Sequence, residues 1–134
     1  MITLNDYWMG RDKTYAAALT ADIVHNAEET VRRANALLNS FRAVTKDNES
    51  RHVNSGWRPP DLNRSTPGAA LRSKHITGQA IDIADPDGDL DEWCMDNADT
   101  LARLSLWLEH PSATKGWCHL QTVPPKSGRR VFYP

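Results

Sequence analysis

The 134-residue chain has few cysteines, no long apolar run and no excess of either charge. Its two cysteines, Cys94 and Cys118, are too few for a disulfide scaffold, so we expect buried free thiols. The longest apolar stretches span only a few residues, which excludes insertion into a membrane. The 16 Lys and Arg against 17 Asp and Glu give a net charge of -1, which disfavours nucleic acid as a partner.

The first residues also lack the features of an export signal. Residues 1–6 have neither a basic start nor an apolar run, so we expect synthesis and folding in the cytoplasm. The length and an ordinary composition, 40% hydrophobic and 25% charged, predict a single globular domain over 1–134.

Hydrophobic periodicity divides the chain into helices and short strands. Apolar residues at alternating steps of three and four predict a helix over about 21–44, although the same stripe is compatible with a coiled-coil seam. The other predicted segments are a short-helical or irregular arm at 1–18, strands at 52–56, 79–83, 104–108 and 117–123, a long loop at 59–72, a helix at about 89–103 and a basic tail at 124–134. This order predicts an α+β fold, with helices packed on a small, mostly antiparallel sheet.

The residues best suited to chemistry cluster in 73–82. His75 and Asp82 can converge if the chain turns back at Gly78, and His119 lies in a later predicted strand. Two imidazoles and one carboxylate are a typical protein ligand set of a catalytic zinc ion, which lowers the pKa of its bound water to about 7 and polarises a carbonyl. Chance spacing or core packing would explain the same residues without a metal.

Three blocks of the sequence together resemble the motifs of one peptidase family. They are Ser55-Gly56-Trp57-Arg58 with Asn63 in the following loop, Ser73-x-His75-x-x-Gly78-x-Ala80-x-Asp82, and Trp117-x-His119. The family is that of the zinc D-alanyl-D-alanine carboxypeptidases and dipeptidases, which includes phage L-alanyl-D-glutamate endolysins and shares its fold with the hedgehog signalling domain. The resemblance covers about 28–123 and implies a hedgehog/DD-peptidase-like fold.

The resemblance also implies roles for individual residues. His75, Asp82 and His119 would bind Zn²⁺. Ser73 would support a ligand or the loop by hydrogen bonding, and Arg58 would stabilise the oxyanion or hold a peptide carboxylate, with a surface arginine as the alternative. The residues expected to face the substrate are Trp57, Asn63, Trp117 and Gln121, with a place in the core as the alternative for both tryptophans.

The catalytic base is where the sequence departs from the family. Many relatives place an acidic residue three positions before the last His, where this chain has Gly116. Glu109 and His110 are the nearby replacements, and Glu109 is favoured because it supplies the missing carboxylate. An exposed carboxylate at a strand end would explain Glu109 equally well.

Two hypotheses for function follow from the resemblance. The first is a zinc peptidase that hydrolyses a D-amino-acid-containing bond in the peptidoglycan stem peptide, as a phage-type lytic or virion-associated enzyme that reaches the cell wall by holin release or with the particle. The second is a zinc-binding structural or binding module of a phage particle without turnover. The acidic run at 85–91 has its glycine at the wrong position for an EF-hand, which favours a helix-capping turn over a calcium site.

Overall fold

The structure is a computed structural model that describes residues 1–134. Its helices are α1 (Leu4–Trp8), α2 (Arg11–Thr14), α3 (Ala21–Thr45), α4 (Pro60–Ser65), α5 (Asp89–Asp96) and α6 (Ala98–Arg103). Its strands are β1 (Val53–Ser55), β2 (Ala80–Asp85), β3 (Trp107–Glu109), β4 (Gly116–Gln121) and β5 (Val131–Phe132). Short 3₁₀ helices occupy Ala16–Ala18 and Pro111–Ala113. None of the six helices combines the length and the apolar character needed to span a bilayer.

The five strands form one sheet in the order β1-β2-β4-β3-β5. Three of the four neighbouring pairs are antiparallel, and only β3 and β5 run parallel. Strands β2 and β4 lie at the centre and share the longest register, from Ala80 opposite Gln121 to Asp85 opposite Gly116. The prediction of an α+β fold with a mostly antiparallel sheet is confirmed.

Helix α3 supplies one side of the hydrophobic core. The Thr20 side chain accepts a hydrogen bond from the Ile23 backbone N–H and caps its first turn. Its buried apolar residues join a cluster of 20 core residues with side chains of β2 and β4. The helix ends within a residue of the predicted boundary, and the coiled-coil alternative is wrong because the chain's own core covers the stripe.

The N-terminal segment contributes side chains to that core. The sequence predicted only an irregular or short-helical arm there. Tyr7 in α1 is completely buried, and its hydroxyl donates to the Ala80 carbonyl at the start of β2 over 2.9 Å. The Trp8 ring lies edge-to-face on Trp57, with ring centroids 5.9 Å apart. The segment therefore helps to anchor the central strand.

Three predicted segments differ in the structure. The predicted loop at 59–72 contains α4, because Pro60 at the first helical position needs no N–H partner and has its φ angle preset. The predicted helix at 89–103 is two helices that meet at Asn97. The predicted strand at 104–108 begins only at Trp107, since Ser105 has a φ of 53° that interrupts extended backbone.

The C-terminal segment, predicted as a basic tail at 124–134, is part of the sheet. Val131 and Phe132 form β5 and pair with β3 at the edge of the sheet. The Arg130 guanidinium lies over the Trp107 ring at 4.4 Å and donates to the Leu106 carbonyl over 3.0 Å. These contacts hold the end of the chain against the sheet.

Candidate active site

Strand pairing brings Asp82 and His119 side by side. They are direct partners in the register of β2 and β4, so their side chains leave the same face of the sheet. The intervening side chains on the other face are in the hydrophobic core, including Ile81, Ile83 and Cys118. The alternation predicted for 117–123 is confirmed from Trp117 to Gln121, where β4 ends.

His75 reaches the same place through the turn that precedes β2. Gly78 has a φ of 75°, and a Cβ atom there would lie 3.0 Å from the Ile23 carbonyl oxygen in α3. The Gly78 carbonyl accepts a hydrogen bond from the Thr30 hydroxyl over 2.8 Å. The chain therefore turns back at Gly78, as predicted, because glycine tolerates this φ angle. The turn places His75 beside Asp82.

The three side chains form a compact cluster. The His75 Nε2 atom lies 3.3 Å from Asp82 Oδ2, and the His119 Nδ1 atom lies 2.8 Å from Asp82 Oδ1. One ligand atom from each residue lies within 4.8 Å of the others, which makes the set able to hold a metal ion. His75 is buried, while Asp82 and His119 form the partly accessible floor of a cleft.

In each imidazole, the nitrogen that points away from Asp82 already has a hydrogen-bond partner. His75 Nδ1 lies 2.7 Å from the Gly56 carbonyl oxygen, and His119 Nε2 lies 3.1 Å from Gln121 Oε1. The Gln121 amide is itself oriented, because its NH₂ group donates to the Val123 carbonyl over 2.9 Å. Since both oxygens facing the imidazoles can only accept, His75 Nδ1 and His119 Nε2 must each carry a hydrogen.

The positions of these hydrogens bear on whether a metal ion fits between the two histidines and Asp82. In neutral imidazoles, His75 Nε2 and His119 Nδ1 then present lone pairs toward the Asp82 carboxylate, which is repulsive at these distances. Either a proton on each imidazole or a metal ion must therefore lie between them and Asp82. Two nitrogens and one carboxylate, with hydrogen bonds behind the nitrogens, match the ligands that Zn²⁺ prefers.

The charges of the cluster are set by burial and by mutual hydrogen bonding. Burial opposes ionisation of Asp82, but hydrogen bonds with His119 and His75 hold the pKa of Asp82 well below its usual range. Burial lowers the pKa of His75. Burial also acts to lower the pKa of His119, but the hydrogen bond to Asp82 and the negative charges of Asp82 and Glu109 together outweigh it and raise that pKa.

Arg58 and Ser73 are linked directly to the cluster. The Arg58 backbone N–H donates to the His75 carbonyl over 3.0 Å, and its Nη2 donates to the Ser73 hydroxyl over 3.1 Å. The same hydroxyl accepts from the His75 backbone N–H over 3.2 Å. Ser73 thus holds both the loop that carries His75 and the Arg58 guanidinium, which lines the cleft. The Arg58 Nε atom has no hydrogen-bond partner within the protein.

Glu109 is a second carboxylate that the fold places next to the cluster. The register of β3 with β4 pairs Leu108 with Leu120, so the next antiparallel step brings Glu109 opposite His119. Glu109 lines the cleft, and burial raises its pKa although His119 acts to lower it. His110 lies outside the cleft, with its ring stacked on Tyr133 and its Nδ1 atom bonded to Ser112.

Gly116, at the family position of the base, is far from the cluster along its strand. It begins β4 opposite Asp85 and is exposed, whereas His119 lies three residues further along the strand. Of the two replacement bases considered from the sequence, the structure brings only Glu109 to the cleft.

Two of the residues expected to contact substrate lie elsewhere. Trp57 is completely buried, with its indole N–H donating to the Ile76 carbonyl over 3.0 Å, so it is a core residue. Asn63 is buried and donates to the Ala70 carbonyl over 2.9 Å, which ties down the loop that follows α4. Trp117 does line the cleft, and Gln121 lines it from beneath His119, to which it is bonded.

The cleft has a volume of about 410 Å³ and has walls that the sequence did not reveal. Arg72 and Lys74 come from the loop before His75, and Lys126 and Tyr133 come from the C-terminal segment. The basic and aromatic residues of that segment were visible in the sequence, but its return to the cleft depends on the pairing of β5 with β3.

A cluster of two histidines and one aspartate in a cleft, beside an arginine and a glutamate, is a site of the metallopeptidase type. Residues 13–104 match the family model described as Peptidase M15, so the chain belongs to the M15 peptidase family. Peptidases of this family are typically zinc-dependent. The matched span contains His75 and Asp82 but ends before Glu109 and His119. No curated protein matches the chain, and no solved structure matches it.

Proposed function

We propose that this protein is a zinc peptidase that hydrolyses a D-amino-acid-containing peptide bond in bacterial peptidoglycan. The observation that carries the proposal is the convergence of His75, Asp82 and His119 at the floor of a cleft that also holds Arg58 and Glu109. The choice of substrate rests on the resemblance of the three sequence blocks to the zinc D-alanyl-D-alanine carboxypeptidases and phage endolysins.

His75 Nε2, His119 Nδ1 and an Asp82 carboxylate oxygen would hold the zinc ion, because these are the ligand atoms left free by the surrounding hydrogen bonds. A zinc ion supplies an activated water molecule near neutral pH and polarises the carbonyl of the substrate. The Gly56 carbonyl and Gln121 keep both imidazoles in the tautomer that binding requires.

The protein's own groups would move the protons and stabilise the charge. Glu109 takes a proton from the attacking water and returns it to the amine that leaves, a role that suits a carboxylate whose pKa is raised by burial. Arg58, held by Ser73, donates to the carbonyl oxygen as negative charge develops there.

The direct experiment is mass spectrometry of purified peptidoglycan after incubation with the zinc-loaded protein. We expect peptide products from the wild type and none from His75→Ala, and the product masses identify the bond. No products from a protein shown to bind zinc would refute peptidase activity on this substrate.

The second candidate is a zinc-binding structural or binding module of a phage particle, favoured by Gly116 at the family position of the base. Glu109→Gln separates the two functions. An enzyme loses turnover while it keeps its fold and its zinc, whereas a binding module has no turnover to lose. The phage setting, with action at the cell wall after holin release or as part of the virion, is proposed from the resemblance alone.

A further inference from the structure

The charged side chains that line the cleft are mostly positive, whereas those of the chain as a whole are not. The chain has a net charge of -1, yet four cationic side chains line this one cleft, namely Arg58, Arg72, Lys74 and Lys126. Only two acidic side chains, Asp82 and Glu109, line it with them. Asp82 faces both histidines at the cleft floor.

Three of these cations have no partner within the protein. Arg72, Lys74 and Lys126 take part in none of the ion pairs and donate no side-chain hydrogen bond. Several arginines elsewhere in the fold are paired. Arg32 and Arg33 share Glu29, and Arg51 is bonded to Asp47 and Asp85. Unpaired cations gathered at one concave site attract an anion from solution.

The three cations reach the cleft from two distant parts of the chain. Arg72 and Lys74 precede His75 in the loop between α4 and β2, whereas Lys126 lies between β4 and β5. In the sheet, β1 and β5 are the two edges, and β2 with Asp82 and β4 with His119 lie between them. Positive charge is therefore supplied to the cleft by two separate segments of the chain.

We propose that the cleft selects peptides that carry free carboxyl groups along the chain beside the scissile bond, and that Arg72, Lys74 and Lys126 bind these carboxylates. This inference rests on the proposed peptidase function and concerns residues at positions that the three family-like blocks leave unspecified or do not contain. Charge-assisted hydrogen bonds hold a carboxylate more strongly than neutral ones, and the local potential raises the rate of encounter.

The test compares two synthetic stem peptides that have the same sequence and the same free C-terminal carboxyl group, and that differ only in their remaining carboxyl groups, which are free in one peptide and carboxamides in the other. We expect the wild type to show the higher kcat/KM for the acidic peptide, with a preference that weakens as NaCl is raised from about 50 mM to about 500 mM because salt screens exposed charges. Lys126→Gln and Arg72→Gln should each lower the acid-to-amide ratio by about twofold to fivefold, the range for exposed ion pairs.

Arg129→Gln is the matched control. It removes the same charge from the same segment, three residues from Lys126, but its side chain is exposed outside the cleft and bonds to nothing. The acid-to-amide ratio should stay at the wild-type value in this variant. A ratio that falls equally in Arg129→Gln and Lys126→Gln would show that only net charge matters and would overturn the inference.

The outcome also separates this inference from the proposed function. Equal cleavage of both peptides by the wild type overturns the charge selection and leaves the peptidase intact. Cleavage of neither peptide counts against the peptidase, and calorimetric titration of the two intact peptides then decides the inference. Tighter binding of the acidic peptide, weakened in Lys126→Gln, supports it, and equal binding or no binding overturns it.

Discussion

Replacement of Gln121 by methionine should weaken zinc binding without unfolding the protein. Gln121 accepts from His119 Nε2 at 3.1 Å and donates to the Val123 carbonyl at 2.9 Å, so its orientation and the His119 tautomer are determined together. Methionine has a similar length and fills the buried site, but it lacks the oxygen that keeps the hydrogen on Nε2. His119 then turns more freely, and its Nδ1 atom is presented to the metal for less of the time.

The expected size follows from comparable hydrogen bonds behind metal-binding histidines. Loss of such a partner typically weakens metal affinity by about 10- to 100-fold, which is about 1.4 to 2.7 kcal/mol. The loss should be measured by competition with a chromophoric chelator. The same difference should appear as a smaller gain in the free energy of unfolding when zinc is added at a fixed concentration.

Two controls make the result specific to Gln121. Unfolding of the metal-free protein in urea should show that Gln121→Met retains most of its stability. Gln121→Glu keeps an acceptor beside His119 Nε2 and should bind zinc more tightly than Gln121→Met. Zinc affinity of Gln121→Met within about twofold of the wild type, well below the expected loss, would refute the positioning role.

Three further predictions test other parts of the structure. Glu109→Gln should lower kcat by about 100- to 10,000-fold, the usual contribution of a general base, while zinc affinity measured with the chelator stays close to the wild type. Trp57→Ala should lower the free energy of unfolding by about 3 to 5 kcal/mol in urea, because the ring is completely buried in the core; an unchanged stability with reduced substrate binding would place Trp57 in the cleft instead. Burial raises the pKa of Asp91 to about 6, so between pH 4 and 6 the folded state binds a proton that the unfolded state has released, and this carboxyl makes the protein less stable as the pH rises through that window. Asp91→Asn keeps an acceptor for the Thr114 hydroxyl and should therefore gain stability relative to the wild type between pH 4 and 7, measured by thermal unfolding at several pH values; a difference that does not change with pH would contradict the raised pKa.

Some elements could be predicted because their signals are local. The stripe of α3 repeats over many turns and follows a Thr20 cap, so helix geometry alone determines which residues share a face. The alternation around His119 predicts its side of the strand for the same reason, because successive side chains of any strand point to opposite faces. Gly78 marked the turn, since few other residues tolerate its φ angle.

Other parts of the site depend on contacts that no local pattern contains. Trp57 has the same neighbours in sequence whether it lines a cleft or fills a core, and only the packing of α1 against it decides. Gln121 was expected to face a substrate, but the nearness of His119 and the Val123 carbonyl makes it a support for a candidate ligand.

The sequence by itself determined the α+β class and the candidate metal ligands, because periodicity and short motifs are properties of adjacent residues. Only the tertiary structure decided which of those residues meet. The register of β3 beside β4 brings Glu109 to His119, and the pairing of β5 with β3 returns Lys126 to the cleft. Such pairings depend on the free energy of packing distant segments into one core, which no single stretch of the chain determines.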